Sequence, residues 1–312
     1  MRHSFTLTWK GQDRILRGDA FIPSSTFNSK EKSKTGVLLV AHGYKGFKDW
    51  GMFPYVGEQL AESSGLLTLT FNFTHNGVGP SLDCFDEPER FAVNTYQREQ
   101  EDIDCLFNWI RSDKFGQWII SEEIEYDVLP ETPIYLLGHS RGGASSLLYA
   151  LDHPDAVRGV ISWNGVTNMD LFTEQQKEEM RQSGRSAVIN ARTKEALPLD
   201  RVMLEDLEAN VERYALIERM KEAHFPLLLV QGSDDLPGFR EGSAQLIENY
   251  PTAKWITIDN AGHTFNTVHP FQGTTPALEA AIEATSDWLH HHHIDCQRRT
   301  TVQLERNLLE PS

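Results

Sequence analysis

The segment Gly138-His-Ser-Arg-Gly142 sets a serine, Ser140, between two glycines, each two positions away. An apolar run precedes it and a helix-forming stretch, 142–151, follows. In that strand–turn–helix context the serine sits on a sharp turn, its hydroxyl is presented as a nucleophile, and the flanking glycines leave room for the strained backbone. A serine hydroxyl is a poor nucleophile near neutral pH, so the chemistry requires a general base and a carboxylate that orients it. Partners of such a serine follow it in the order acid, then histidine. Gly232-Ser-Asp-Asp-Leu-Pro follows one apolar run and Asp259-Asn-Ala-Gly-His263 follows another. His263 is the expected base. The acid is one of two adjacent residues, Asp234 or Asp235, with Asp259 next in line.

Acyl transfer also needs donors for the oxyanion. The backbone N–H of Arg141, just after the nucleophile, is one. The loop His42-Gly-Tyr44, at the end of an earlier apolar run, offers the N–H of Tyr44 as the second.

These groups need a scaffold that brings distant loops to one edge. Short apolar runs, rich in β-branched residues, alternate with stretches of helical period, which predicts an α/β fold: a mostly parallel sheet flanked by helices. Strands are expected at 4–9, 15–22, 36–42, 66–73, 134–138, 157–163, 227–231 and 255–258, the first two forming an antiparallel hairpin at the sheet edge across a Lys10-Gly-Gln-Asp13 turn. Val37-Leu-Leu-Val40, Tyr135-Leu-Leu137 and Leu227-Leu-Leu-Val230 are apolar throughout, as central strands buried on both faces must be. Ligands of open α/β sheets bind beyond the carboxyl ends of the strands, where all the residues named above fall.

Between 166 and 225 the pattern changes to long, charged, helix-forming sequence with a break at Pro198, too long for an ordinary crossover. It is expected to be a helical lid or cap inserted into a core made of 1–165 and 226–297. A final helix is expected over 276–291, and the tail 298–312 has no clear partner in the core. Other polar residues at the functional edge are Lys45, Lys48, Asn72, His75, Asn76 and Asn164. Lys45, Lys48 and the Arg141 side chain are candidates for holding a substrate carboxylate, and His75, Asn76 and Asn164 for lining the cleft.

Taken together, His42-Gly-Tyr-Lys-Gly, Gly138-His-Ser-Arg-Gly-Gly143, Gly232-Ser-Asp-Asp and Ala261-Gly-His-Thr-Phe265 resemble the α/β-hydrolase superfamily. Within it the likeness is to the group of dienelactone hydrolases, feruloyl esterases and the prolyl oligopeptidase catalytic domain. A dienelactone hydrolase proper would carry cysteine where Ser140 stands, which argues against that activity. The resemblance implies the α/β-hydrolase fold, a nucleophile elbow at Ser140, and a Gly-x-x-Asp turn that favours Asp235 over Asp234 as the acid.

The bulk properties fit a small-molecule enzyme. With 312 residues and 39% hydrophobic content the chain is long enough for one large domain with an insertion. A formal charge of -16 and a pI near 5.2 oppose phosphate backbones and anionic membrane surfaces, so no nucleic-acid or membrane partner is expected. No apolar run spans a bilayer and the N-terminus alternates like a strand, which predicts a cytoplasmic protein. Cys84, Cys105 and Cys296 suit neither a disulfide framework nor a metal site and are expected to be structural thiols. The run His290 to His293 is expected to be a solvated helix end, with no metal and no organic cofactor required. The expected function is a serine hydrolase, first a carboxylesterase acting on a small ester and second a peptidase acting on short peptides. The alternative of another class is a non-catalytic binding protein on the same fold.

Overall fold

The computed structural model describes residues 1–9, 14–24, 36–126, 129 and 131–309, with 294–309 described by backbone alone. The turn at 10–13 and the Cys296 side chain therefore lie outside the described residues.

The core is an eight-stranded sheet in the order β1-β2-β4-β3-β5-β6-β9-β10. Its strands are β1 (Arg2–Thr8), β2 (Ile15–Phe21), β3 (Val37–Ala41), β4 (Leu67–Phe71), β5 (Ile134–His139), β6 (Gly159–Trp163), β9 (Leu227–Gly232) and β10 (Lys254–Ile258). β1 and β2 pair antiparallel, β2 runs antiparallel to β4, and every later pair is parallel. The physical cause is visible in the burial: β3, β4, β5, β6 and β9 are buried at every position, whereas β1 and β10 alternate at the two edges. Both faces of the central strands are covered. α1 (Phe53–Ser64) and α10 (Pro276–Leu309) pack on one face through Phe53, Val56, Leu60, Leu278 and Leu289. α3 (Tyr96–Ile110), α4 (Asp113–Ser121), α5 (Arg141–Asp152) and α9 (Pro237–Asn249) pack on the other through Ile103, Phe115, Leu147 and Leu246.

The long segment between β6 and β9 is folded, but it is not all helical as its charge and length suggest. α6 (Glu174–Ser183) is followed by a two-stranded antiparallel hairpin, β7 (Arg185–Ile189) and β8 (Ala196–Asp200), then by α7 (Arg201–Ala209) and α8 (Leu216–Arg219). Pro198 lies within β8 and does not separate two helices. α6 is set by a capping box, in which the Thr173 hydroxyl accepts from the Gln176 N–H and the Gln176 side chain accepts from the Thr173 N–H. It stops at Gly184, whose φ of 81° ends the helix.

This segment is docked by a separate apolar cluster. Met180, Leu197, Leu199, Met203 and Leu204 meet Phe47, Val78, Phe85 and Phe91, the last of these on α2 (Pro88–Ala92). At the surface Arg185 pairs with Glu89 at 2.5 Å.

α10 continues well past the predicted end at 291, to Leu309, so the expected tail is helical through most of its length. His290 to His293 lie on this helix, and no group of three or more His, Cys, Asp or Glu is gathered for a metal among the described residues. Cys84 is exposed and Cys105 half-buried, both free thiols, so the structural role expected of them has no packing to rest on at Cys84. Among the described residues no helix is long and apolar enough to cross a membrane.

Candidate active site

Ser140 occupies the turn from β5 into α5 with φ 56° and ψ -120°, a backbone conformation rarely adopted by any residue with a side chain. The surroundings enforce it. The Ser140 N–H donates to Trp163 O at 2.9 Å on β6, and its carbonyl accepts from Gly143 N and Val166 N at 2.9 and 3.1 Å. A Cβ at Gly138 would stand 2.0 Å from Gly142 O, and one at Gly142 would stand 2.4 Å from Ala41 O. The elbow therefore closes only with glycine at both positions, as the spacing in the sequence predicts.

Three loops converge on this serine. His263 follows β10, and its Nε2 lies 3.0 Å from Ser140 Oγ. Its Nδ1 lies 2.9 Å from Asp235 Oδ1, on the loop after β9. A carboxylate only accepts, so Nδ1 carries the proton and donates to Asp235, leaving Nε2 to accept from the serine hydroxyl. Asp235 is 3% exposed, and Oδ1 also accepts from Leu236 N at 2.7 Å. Asp234 is exposed and its Oδ1 accepts from the Ser233 hydroxyl at 3.0 Å. Of the two adjacent aspartates, geometry brings only Asp235 to the imidazole; Asp259 is exposed.

The loop after β3 closes the site from the other side. A Cβ at Gly43 would come within 2.9 Å of Ser140 Cβ, so this backbone lies directly against the serine. Arg141 opens α5, where the first N–H groups of a helix have no intrahelical acceptor. The Tyr44 N–H has no acceptor among the described residues. Both donors named from the sequence are thus uncommitted.

The other candidates fare differently. The Arg141 side chain is 4% exposed and consumed internally: it pairs with Glu99 at 2.7 Å, donates to Asn94 O at 3.0 Å and stacks on Tyr96 at 3.7 Å. Glu99 also accepts from Ser145 Oγ. Lys48 is 4% exposed and paired with Asp19 and Asp49, both at 2.5 Å. Neither is placed to meet a substrate carboxylate. Lys45 is half-buried with φ 57°, its ammonium 3.5 Å from Ile189 O on β7 and near the Tyr44 ring. It lies where the 166–225 segment meets the loop after β3.

His75 and Asn76 are buried within the protein. His75 Nδ1 accepts from or donates to Thr74 Oγ1 at 2.8 Å, and burial, with Arg98, Arg14 and Arg90 nearby, pushes its pKa down to about 3. Asn76 Nδ2 lies 3.3 Å from both His42 Nε2 and Gly46 O and so ties the loop after β3 to β4's exit. Asn164, fully buried with φ 47°, donates to His263 O at 2.9 Å. Its role is internal to the site's frame.

Sequence reasoning missed His139, Glu99 and Gln231. His139 Nε2 donates to His263 O at 2.7 Å, and burial, with the neighbouring His263, holds its own pKa down to about 3, keeping it neutral. Gln231 reaches Asp235. Its signal was present: one amide closing an otherwise apolar buried run, Leu227 to Val230.

Comparison with known proteins agrees with the architecture. The family described as alpha/beta hydrolase fold matches residues 36–186. A proline iminopeptidase of Lactobacillus delbrueckii subsp. bulgaricus is 20% identical over 305 residues, covering 81% of this chain and 99% of that protein. The monoglyceride lipase of Mus musculus is 30% identical over 125 residues, 40% of this chain and 33% of the lipase. Among solved structures, Est1E from Butyrivibrio proteoclasticus superposes with a TM-score of 0.62 at 16% identity, covering 93% of this chain and 99% of its own. Strand order and family match converge on one conclusion: the chain has the α/β-hydrolase fold, a mostly parallel sheet flanked by helices.

Proposed function

We propose that this hydrolase is a serine carboxylesterase that cleaves a small ester through an acyl-enzyme. The observation that carries the reading is the unbroken hydrogen-bond line from Asp235 through His263 to Ser140. His263 Nε2 takes the proton of Ser140 as Oγ attacks the ester carbonyl, and the developing oxyanion is held by the Tyr44 and Arg141 N–H groups. Asp235 fixes the tautomer and offsets the charge on the imidazolium. That imidazolium then protonates the leaving alcohol, and a water activated by the neutral His263 cleaves the acyl-enzyme. No step calls on a metal or organic cofactor. The segment 166–225 acts as a cap that shapes the acyl pocket, since its hairpin meets Lys45 and its apolar face shares a cluster with Tyr44.

A second reading, a peptidase acting on short peptides, is favoured by the proline iminopeptidase that aligns along most of the chain. A fluorophosphonate probe tests the common core of both, and a panel of aryl esters beside aminoacyl and feruloyl substrates separates them. Prompt labelling at Ser140, absent in Ser140→Ala, is the expected result. A folded protein that takes no label would overturn the hydrolase reading in favour of a binding protein on this fold.

A further inference from the structure

Asp235 has two carboxylate oxygens, and His263 uses one of them. The other, Oδ2, accepts from Gln231 Nε2 at 2.7 Å. Gln231 is 2% exposed and its amide orientation is fixed from both ends. Its Oε1 accepts from Ser243 Oγ on α9 at 2.7 Å, and its Nε2 also donates to Asn164 Oδ1 at 3.0 Å. Asn164 Oδ1 in turn accepts from Gly232 N at 2.7 Å, while its Nδ2 donates to His263 O. One pair of buried amides therefore spans the end of β6, the acid loop and the histidine loop.

We propose, resting on the triad reading above, that Gln231 is a positioning residue that fixes Asp235 and sets how strongly the Asp235–His263 pair holds a proton. The argument is one of hydrogen-bond supply. A carboxylate stabilised by N–H donors is a weaker base than one left short of a donor in a buried site. With Gln231 in place, Asp235 receives donors on both oxygens: His263 and Leu236 on Oδ1, Gln231 on Oδ2. Taking the amide away leaves Oδ2 without a donor, strengthens the carboxylate's hold on the imidazolium, and keeps His263 protonated to higher pH. No solvent-exposed group offers a replacement, because Oδ2 is enclosed with Asp235 itself.

The titratable and charged groups around the pair are few. His139, at the end of β5, stands 5.0 Å from the His263 ring and is itself neutral, with His42 behind it on the β3 loop. Asp234 is exposed beside Asp235, Arg240 on α9 donates to Ser233 O, and Asp259 is exposed beyond β10. α9 contributes the uncharged Phe239 ring, 5.2 Å from His263. None of these touches Oδ2, so Gln231 holds that oxygen alone among the described residues.

The test is the pH profile of kcat/KM on a reference aryl ester for the full chain, Gln231→Leu and Gln231→Glu. Gln231→Leu is expected to lower kcat/KM by about tenfold and to move the acid limb upward by roughly half a pH unit or more. In Gln231→Glu two carboxyl groups share one contact and one of them is held protonated to higher pH than usual, so the new side chain donates at low pH much as the amide does. Its activity is expected to exceed that of Gln231→Leu at low pH and to fall away as pH rises and the shared proton is lost. If Gln231→Leu does not fold, Gln231→Glu and Ser243→Ala, which frees the amide from its outer anchor, carry the same comparison. A merely structural glutamine would lower thermal stability and scale the whole profile without moving its limb. A limb unmoved in folded Gln231 variants, with the parent labelled at Ser140 and active, overturns this inference alone. A parent without label or activity overturns the triad reading instead.

Discussion

Asp235 and Asp234 are neighbours in the chain with opposite fates: the first is buried and 2.9 Å from His263 Nδ1, the second is exposed and accepts from the Ser233 hydroxyl. The turn that divides them is anchored by Asp235 N donating to Gly232 O at 3.3 Å and Asp234 N to Ala261 O at 3.0 Å. Exchanging carboxylate for amide at the acid of a serine triad leaves the imidazole in the wrong tautomer, a loss of about ten-thousand-fold in the serine-protease example. Asp235→Asn is therefore expected to cripple ester turnover with little change in melting temperature. Asp234→Asn is expected to retain most activity and to lose at most about 1 kcal/mol of turn stability. Steady-state kinetics beside thermal melts decide it, and an active Asp235→Asn sinks the assignment.

Ser140→Ala is expected to fold as the parent does, because the strained turn is imposed by Trp163 O, Val166 N and the flanking glycines, not by the hydroxyl. Removal of a triad nucleophile costs on the order of a million-fold in turnover. Activity within tenfold of the parent, measured after excluding contaminating esterase by probe labelling, would remove Ser140 from the mechanism.

The parts of this design legible in the sequence are those that rest on local pattern. Runs such as Val37 to Val40 and Leu227 to Val230 mark central strands because two covered faces demand apolar residues throughout, and β3, β5 and β9 are found where such runs lie, while the edge strands β1 and β10 are found where the pattern is mixed. The hairpin β7–β8 escaped notice because its strands are five residues each and lie between charged helical stretches, with only Leu197 and Leu199 fully buried. The frame of the site was illegible for a different reason. Whether Arg141, Lys48 or Asn164 faces a ligand depends on partners 42, 29 and 99 residues away, Glu99, Asp19 and His263, and no local pattern announces them.

Three buried histidines predict how stability responds to acid. His42 is pushed down to about 4, and His75 and His139 to about 3, in each case chiefly by burial of a ring that would have to carry charge. The unfolded chain protonates these rings near the ordinary value of about 6.5, so below that pH the unfolded state binds protons that the native state refuses. Stability is full above about pH 6.5 and falls as pH drops toward the folded values, by up to about 1.4 kcal/mol per pH unit for each ring. Denaturant melts between about pH 7 and 5 read the net effect, in which the Asp102 carboxyl, pushed up to about 7 chiefly by burial, takes its proton first in the native state and offsets about one of the three rings. A midpoint that stays constant across that window contradicts it.

The proposed cap is held by packing. Leu199 and Met180 are fully buried against Phe47 and Phe91, and Tyr44 joins the edge of the same cluster. Leu199→Ala removes buried apolar volume there and is expected to cost about 2–5 kcal/mol. Its effect on function should fall on acyl-chain preference more than on the rate at which Ser140 takes a small fluorophosphonate, because Ser140, His263 and Asp235 all lie outside the insertion. An unchanged profile across esters of increasing acyl length, in a variant shown to be destabilised, would separate the cap from substrate selection.

Gly43 offers the most direct test of the proposed oxyanion loop. A Cβ at this position would lie 2.9 Å from Ser140 Cβ, 3.2 Å from His139 O and 3.3 Å from His139 Nδ1. Neither the elbow backbone nor the buried His139 ring can yield easily, since His139 is locked to His263 O. The loop itself must therefore move outward, carrying the Tyr44 N–H away from the position where the oxyanion forms. Loss of one such donor costs about 10²–10³ in kcat, and a shift of about 1 Å can cost about 10². Gly43→Ala is expected to lower kcat by about a hundredfold with a small change in KM, and to leave the pH of the acid limb where it is, because Asp235 and His263 are untouched. The same variant should label slowly with a fluorophosphonate, whose tetrahedral phosphorus also places an oxygen against these donors. A Gly43→Ala enzyme that turns over esters within threefold of the parent would mean that the oxyanion is held elsewhere, and that the close approach of this loop serves only to pack the elbow.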